Sequence, residues 1–377
     1  MRIAYFCDSY KPYLSGVTNS VELLVNELRE LGHRVYIFAP RYPGHVDTDP
    51  DIIRFPSLPT RYPNFRLALP YVNRVPEVDI IHAHSPFQTG FLARYLAHKR
   101  KLPFVYTFHT LFTRYVHYAR FFPEPLSKWA LVGYIQRFCR RADLIIAPSK
   151  MARRVLRAWK IDRPIEVIPT GVDLRKMEMG DGRWEMRKKY KIPKDAKVLI
   201  YVGRLSKEKN IDFLLDAFKK IATGNIYLLL VGGGPLLEKV KSQKTSTSSV
   251  ESSKVKNIIF AGEVPYPEVL SYYSAGDIFV FASQTETQGL VLAEAKAAGL
   301  PVVALFAGGL VDTVRSGIDG YLTARNLESF TDHLKLLLKD NDILHRMGRS
   351  AREDAYENFS SKTIAKRLEK LYNSITK

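Results

Sequence analysis

The sequence predicts an α/β chain folded as two doubly wound domains, and three observations carry that prediction. Short apolar runs alternate with stretches of helical periodicity along most of the 377 residues, the pattern of parallel sheets covered by crossover helices. The runs end repeatedly in Gly, Ser, Asp or His, as at the carboxyl ends of strands where open α/β sheets bind ligands. The length exceeds what one core ordinarily serves. Two domains are therefore expected.

In chain order, Arg2 to Asp8 is the first strand. A helix follows with Val21, Leu24, Val25, Leu28 and Leu31 on one face, closed by Gly32, and then a strand from Val35 to Pro40. The turn between the first strand and that helix holds Ser15-Gly16. It lacks a G-x-G-x-x-G, so no dinucleotide fingerprint is read there. Strands continue at Ile52–Phe55, Val78–His82, Phe104–Thr107 and Leu144–Ala147. Two of these end in histidines: His82-Ala-His84-Ser85, and His109-Thr110 leading to Tyr115-Val-His117-Tyr118. No carboxylate or cysteine stands beside them at ligand spacing, so no metal is expected. Packing histidines remain an open reading for His82 and His84.

Lys150, Arg153, Arg154, Arg157 and Lys160 share one helical face, with Met151, Val155 and Trp159 on another. Lys128, Trp129, Arg137, Arg140 and Arg141 precede them, and residues 64–71 form a further basic and apolar segment. A basic amphipathic helix with Trp suits an anionic membrane surface; a solvated basic face is the other reading.

The second domain opens with a strand at Val198–Gly203 that runs into Arg204 and Lys209. A bidentate guanidinium fork and a mobile ammonium suit a diphosphate. The strand Tyr227–Val231 enters Gly232-Gly-Gly-Pro235, and Ser242–Ser253 is a low-complexity insertion expected on the surface. Strands at Ile258–Gly262, Ile278–Phe281 and Val302–Leu305 complete the alternation, the last followed by a glycine loop at Gly308-Gly309. Between the last two strands lie the polar loop Ser283–Gly289, a helix from Leu290 to Ala298, Gly299 and Pro301. Glu286 precedes this helix and Glu294 lies within it. Carboxylates accept hydrogen bonds from sugar hydroxyls, and a helix N-terminus favours phosphate. The pair therefore suits a sugar nucleotide. Ile364, Leu368 and Leu371 recur at helical spacing in the last segment.

Glu286-x7-Glu294 followed by Gly299-Leu-Pro-Val-Val303 resembles the donor site of the retaining family-four glycosyltransferases of GT-B fold. His109-Thr-x4-Tyr115-x-His117-Tyr118 and Thr285-Glu286-Thr287-Gln288-Gly289 are similar to the diacylglycerol glucosyltransferase subgroup, and the likeness runs from about residue 1 to about 375. Ile165-Glu-Val-Ile-Pro-Thr-Gly171-Val-Asp173 resembles the family's hinge strand and turn, and the resemblance implies two Rossmann-like domains facing across a cleft, an acceptor and membrane-binding domain at 1–173 followed by a donor domain at 174–357, and a C-terminal helix at 358–377 that crosses back. It gives Glu286 the sugar hydroxyls, Glu294 the ribose, Arg204 and Lys209 the diphosphate, and His109 a place near the anomeric centre. Gln288, Gly289 and Leu290 join the donor site. Of the family's Gly-Gly loop only Gly16 carries over, and Asn210 stands where the family often has Gly. Tyr115, His117, Tyr118, Trp129, Lys150, Arg153, Arg154 and Arg157 become candidates for the acceptor and membrane surface. The implied activity is transfer of glucose from UDP-glucose to diacylglycerol, without cofactor or protein partner. Another family-four hexosyltransferase, using GDP-mannose or another UDP-sugar with phosphatidylinositol or a soluble acceptor, stays open, as does a sugar-nucleotide binder without turnover.

The net charge of +19 divides as +12 over residues 1–175 and +7 over the rest. Nucleic acid is one partner such charge would serve, but no reader module is visible, and no nucleic-acid partner is expected. Two cysteines, Cys7 and Cys139, fit a reducing compartment. The N-terminus turns polar too soon for a signal-peptide core, and no apolar run is long enough for a span. The expected place is the cytoplasm, peripheral on the inner face of the cell membrane.

Overall fold

The computed structural model describes residues 1–13, 15–60, 65–71, 75–111, 124–176, 182–245 and 256–376. Tyr115, His117 and Tyr118 lie outside the described residues, as do Asn64 and residues 246–253 of the low-complexity stretch. The chain divides into two compact units, Met1–Gly171 with Ser361–Lys377, and Val172–Ser360.

The first unit contains strands β1 (Arg2–Phe6), β2 (Arg34–Pro40), β3 (Ile52–Phe55), β4 (Ser57–Pro59), β5 (Arg66–Ala68), β6 (Ile80–Ala83), β7 (Phe104–Thr107), β8 (Leu144–Ala147) and β9 (Ile165–Val167). Seven of them form a parallel sheet in the order β3-β2-β1-β6-β7-β8-β9. The order reverses beside β1, the place where such sheets bind ligands. Helices α1 (Gly16–Glu30), α2 (Gln88–Arg100), α3 (Glu124–Cys139) and α4 (Lys150–Ala158) belong to this unit. Alternate residues of β1 enter different cores: Ala4 and Phe6 pack with Phe38 and Phe138, while Ile3 and Tyr5 pack with Val21 and Leu28. Burial on both faces explains why these strands read as continuous apolar runs. The antiparallel ribbon β4–β5 was not anticipated. Its three-residue strands, one ending in Pro59, are too short for alternation to register.

The second unit carries β10 (Lys197–Val202), β11 (Ile226–Val231), β12 (Ile258–Gly262), β13 (Ile278–Phe281), β14 (Val302–Leu305) and β15 (Gly320–Thr323). All are parallel, in the order β12-β11-β10-β13-β14-β15. Its helices are α5 (Arg183–Lys189), α6 (Ile211–Ile221), α7 (Leu237–Thr245), α8 (Tyr266–Tyr273), α9 (Leu290–Ala297), α10 (Leu327–Lys339) and α11 (Asn341–Asp354). The edge strand β15, absent from the sequence reading, has no apolar run. A Cβ on Gly320 would lie 2.2 Å from the Val302 carbonyl oxygen, so glycine admits a close approach of backbones there, while Tyr321 and Leu322 pack on the core.

The last helix, α12 (Ser361–Ile375), belongs to the first unit. Ile364, Ala365, Leu368 and Tyr372 are buried with Val21, Val25 and Leu28. Ser361 Oγ donates to Glu27 Oε1 at 2.6 Å, and a Cβ on Gly171 would stand 2.8 Å from Ser361 Cα.

One expectation needs correcting. Sequence periodicity put an apolar face with Trp159 beside the basic face of α4, as though both met a membrane. The structure turns the apolar face inward. Ala152 and Leu156 are buried, Val155 and Trp159 pack on the same core, and Trp159 meets Phe108 edge-on at 5.8 Å. Lys150, Arg153, Arg154, Arg157 and Lys160 are exposed. Near α4 in sequence, Trp129 on α3 does face solvent, 76% exposed, with Leu126 at 51%. Among the described residues no helix is long and apolar enough to cross a membrane.

Candidate functional site

In the second unit, the loops after β10, β11, β13 and β14 meet at the carboxyl edge of the sheet. The first two are joined by backbone hydrogen bonds: Gly203 N–H donates to Val231 O at 2.9 Å and Leu205 N–H to Gly233 O at 2.8 Å. A Cβ on Gly232 would sit 2.1 Å from Gly203 O. The other two are joined likewise, with Gly309 N–H donating to Glu286 O at 2.9 Å. A Cβ on Gly309 would fall 1.9 Å from Thr287 O, which is why glycine follows β14.

These loops bring Lys209 and Glu286 together. The Lys209 ammonium pairs with Glu286 Oε1, the two side chains 21% and 18% exposed. They are 77 residues apart in sequence and become neighbours because β10 lies next to β13 at the reversal of strand order. Arg204 stands exposed at the end of β10, and among the described residues its guanidinium makes no ion pair. Asn210 sits in the left-handed region at φ 57°. Asn tolerates that conformation better than other side chains, which accounts for Asn where relatives often carry Gly.

Gly289, at φ 84°, leads into α9, whose N-terminus has no side-chain cap. Its first amides are therefore open to an anion. Leu290 opens the helix, its side chain packed in a small cluster with Ala293 and Phe359. Gln288 is buried, and its carbonyl accepts from Thr313 Oγ1 at 3.0 Å. Glu294 is buried too, and the hydroxyls of Tyr266 and Tyr273 donate to Oε1 and Oε2 at 2.9 and 2.7 Å. Burial pushes this carboxyl above its ordinary range, and the two hydroxyls pull it back. Each carboxylate oxygen keeps a second lone pair. Lys296, on the same helix, is fully buried; its ammonium donates to Thr313 O at 2.7 Å, to Asp319 Oδ2 at 3.0 Å and to Asp354 Oδ2. That network fixes α9 against α11 and so fixes Glu294. Sequence reading missed Tyr266, Tyr273 and Lys296, none of which carries a local signal.

The first unit holds its own pocket, about 380 Å³ and mostly apolar, at the carboxyl edge beside β1. His84 and His109 line it, with Asp8, Tyr106, Phe65, Leu67 and Phe87 among the others. His84 Nδ1 and His109 Nε2 share a hydrogen bond of 2.9 Å. His82 stacks on His84 at 4.3 Å, and its ring nitrogens are taken by Tyr372 Oη and, at 2.7 Å, by Thr107 Oγ1. Gly16 is the first residue of α1, and a Cβ there would meet open space. The fold of this unit alone does not demand glycine. Among the described residues no group of three His, Cys, Asp or Glu is placed to hold a metal.

Burial disfavours the charged form of all three rings. His109 is pushed down to about 4, and His82 and His84 also fall well below 6.5. An unfolded chain takes up protons near 6.5 that the native fold refuses. Stability from the neutral rings is thus complete above that pH and is lost as pH falls toward 4. The melting temperature, followed by circular dichroism from pH 7.5 to 4.5, is expected to drop most steeply below about 6.5. A His84→Gln variant should show a shallower drop, and an equally steep one would count against this origin.

Residues 14–176 match Glycosyltransferase Family 4, and residues 182–354 match Glycosyl transferases group 1. The alpha-monoglucosyldiacylglycerol synthase of Streptococcus pneumoniae is 35% identical over 81% of this chain and 71% of its own length. That of Acholeplasma laidlawii is 32% identical over 99% of this chain and 96% of its own. Among solved structures, sucrose-phosphate synthase from Thermosynechococcus elongatus shares the fold at TM-score 0.78 and 22% identity, covering 99% of this chain and 98% of the other. Anabaena HepE in complex with UDP does so at 0.76 and 19%, covering 99% and 100%. With both units matched and two relatives above 30% identity, the chain belongs to the family-four glycosyltransferases of GT-B fold and is a hexosyltransferase.

Proposed function

We propose that the chain transfers glucose from UDP-glucose to the free hydroxyl of 1,2-diacylglycerol, with retention of configuration, giving alpha-monoglucosyldiacylglycerol at an anionic membrane surface. The observation that carries this reading is the match to two alpha-monoglucosyldiacylglycerol synthases across both units. The geometry supports it. Glu286 receives the sugar hydroxyls, Glu294 the ribose, and the amides of Gly289 and Leu290 with Arg204 and Lys209 receive the diphosphate. Lys209 is paired with Glu286, so a bound donor would exchange the partners: the ammonium turns to phosphate as the carboxylate turns to the sugar.

In the reaction, the bond from C1 of glucose to the phosphate oxygen breaks, and its electron pair stays on that oxygen. Arg204 and Lys209 stabilise the charge that grows there, the main catalytic effect of fixed cations. The acceptor oxygen bonds to C1 on the same face and gives its proton to the departing phosphate oxygen. No divalent metal is needed in this scheme. His109, in the mostly apolar pocket of the first unit, is the side chain assigned to the reacting centre.

The membrane part rests on exposed residues of the first unit, the cations of α4 and the Leu126–Trp129 face of α3. With the apolar face of α4 buried, its attachment is electrostatic. A well-placed cation contributes about 1 kcal/mol at an anionic surface. An Arg153→Gln/Arg154→Gln variant is therefore expected to bind phosphatidylglycerol-containing vesicles about thirtyfold more weakly, with UDP-glucose affinity unchanged. Native binding should fade with added salt. Sedimentation with vesicles measures both, and salt-independent binding equal in both proteins would refute an electrostatic attachment.

A further inference from the structure

We propose that Asp8 and Tyr106 form the polar end of the first unit's pocket and recognise the hydroxyl-bearing head of a neutral amphiphile, and so exclude phosphate-bearing lipids. This deepens the reading of that pocket as the acceptor site and rests on it. Asp8 follows β1 and is 8% exposed. Thr89 N–H, in the first turn of α2, donates to its Oδ1 at 2.9 Å, and Ser85 Oγ donates to its Oδ2. Both oxygens are thus held in place, and each keeps a lone pair for a further donor. A carboxylate so engaged is a weak nucleophile but a well-fixed hydrogen-bond acceptor.

Tyr106 lines the same pocket and is fully buried, yet its hydroxyl has no hydrogen-bond partner among the described residues. His84 Nε2, in the same pocket wall, and Thr89 Oγ1, beside the Asp8 contact, are buried and unpartnered as well. Folded proteins rarely leave such atoms unsatisfied without a ligand or water to meet them. Three of the five buried side-chain atoms without partners among the described residues gather here. The lining is otherwise mostly apolar and includes Phe65, Leu67 and Phe87. A fixed carboxylate and an unpaired hydroxyl at the end of an apolar pocket fit a head that donates one hydrogen bond and offers a neighbouring oxygen. A phosphate there would lie against the Asp8 charge.

The test is binding of 1,2-dioctanoylglycerol to the full chain without donor, followed by calorimetry, beside its KM in transfer from UDP-glucose. Tyr106→Phe removes an oxygen that has no hydrogen-bond partner among the described residues, so its melting temperature should hold or rise. Its dioctanoylglycerol affinity should fall about three- to tenfold. Asp8→Asn, which can keep the Thr89 bond, should lose about ten- to a hundredfold, with the KM for UDP-glucose unchanged in both. Native affinity for dioctanoyl phosphatidic acid should be far below that for dioctanoylglycerol. If the glycerol binds and both substitutions weaken it while no glucose is transferred, the subsite stands and the proposed reaction fails. Equal binding by native chain and Tyr106→Phe, no binding by the native chain, or phosphatidic acid bound as tightly as the glycerol would each overturn the subsite; the first would mean that the hydroxyl meets only buried water.

Discussion

An Arg204→Ala/Lys209→Ala variant is expected to bind UDP at least a hundredfold more weakly than the native chain. Each cation contributes a charge-assisted contact of about 1.5–3 kcal/mol, and every 1.4 kcal/mol is about tenfold in affinity. The structure adds a second effect in the same direction. Lys209 neutralises Glu286, so its removal leaves a carboxylate facing the nucleotide's phosphates. Glu286→Gln separates the two roles. It frees Lys209 and removes a negative charge, so UDP should bind as tightly as to the native chain or more so. The additional affinity of UDP-glucose over UDP should disappear, because the carboxylate proposed to hold the sugar is gone. Calorimetry with both ligands reads all of these, and undiminished UDP affinity in the double variant would place the diphosphate elsewhere.

Much of the fold was legible because parallel sheets leave a strong trace. The strands around Val302–Leu305 and Ile278–Phe281 are unbroken apolar runs, and Gly299 with Pro301 marks the end of α9. What escaped were short elements without an apolar run, such as β15, where Gly320 lets two strands meet. The candidate residues of the donor loop were legible as types, but their pairing was not. Lys209 meets Glu286 only because strand order reverses between β10 and β13, which no local pattern encodes. The two tryptophans show the same limit. Periodicity gives a helix two faces without saying which one the core takes, so Trp159 and Trp129 read alike in sequence and face opposite ways in the fold. Asp8 carries no local signal either: its hydrogen bonds come from Ser85 and Thr89, about eighty residues away in sequence, and they suit it to accept a hydroxyl.

The largest effect expected is all-or-none: glycolipid forms from UDP-glucose on vesicles that contain 1,2-diacylglycerol, and none forms when the diacylglycerol is left out. Arg204 and Lys209 follow one strand, where the proposed donor site would meet the leaving diphosphate, and the first unit keeps a mostly apolar pocket with His109 in its lining. Departure of the phosphate and arrival of the acceptor on one face of the sugar require the product to keep the α configuration of the donor. GDP-mannose should not replace UDP-glucose. The most direct measurement is therefore proton NMR of the lipid extracted after incubation with UDP-glucose and diacylglycerol vesicles. An α-anomeric glucosyl signal on the third carbon of the glycerol is the predicted result; a β-glucoside, or glucose found only on a soluble acceptor, would contradict the account.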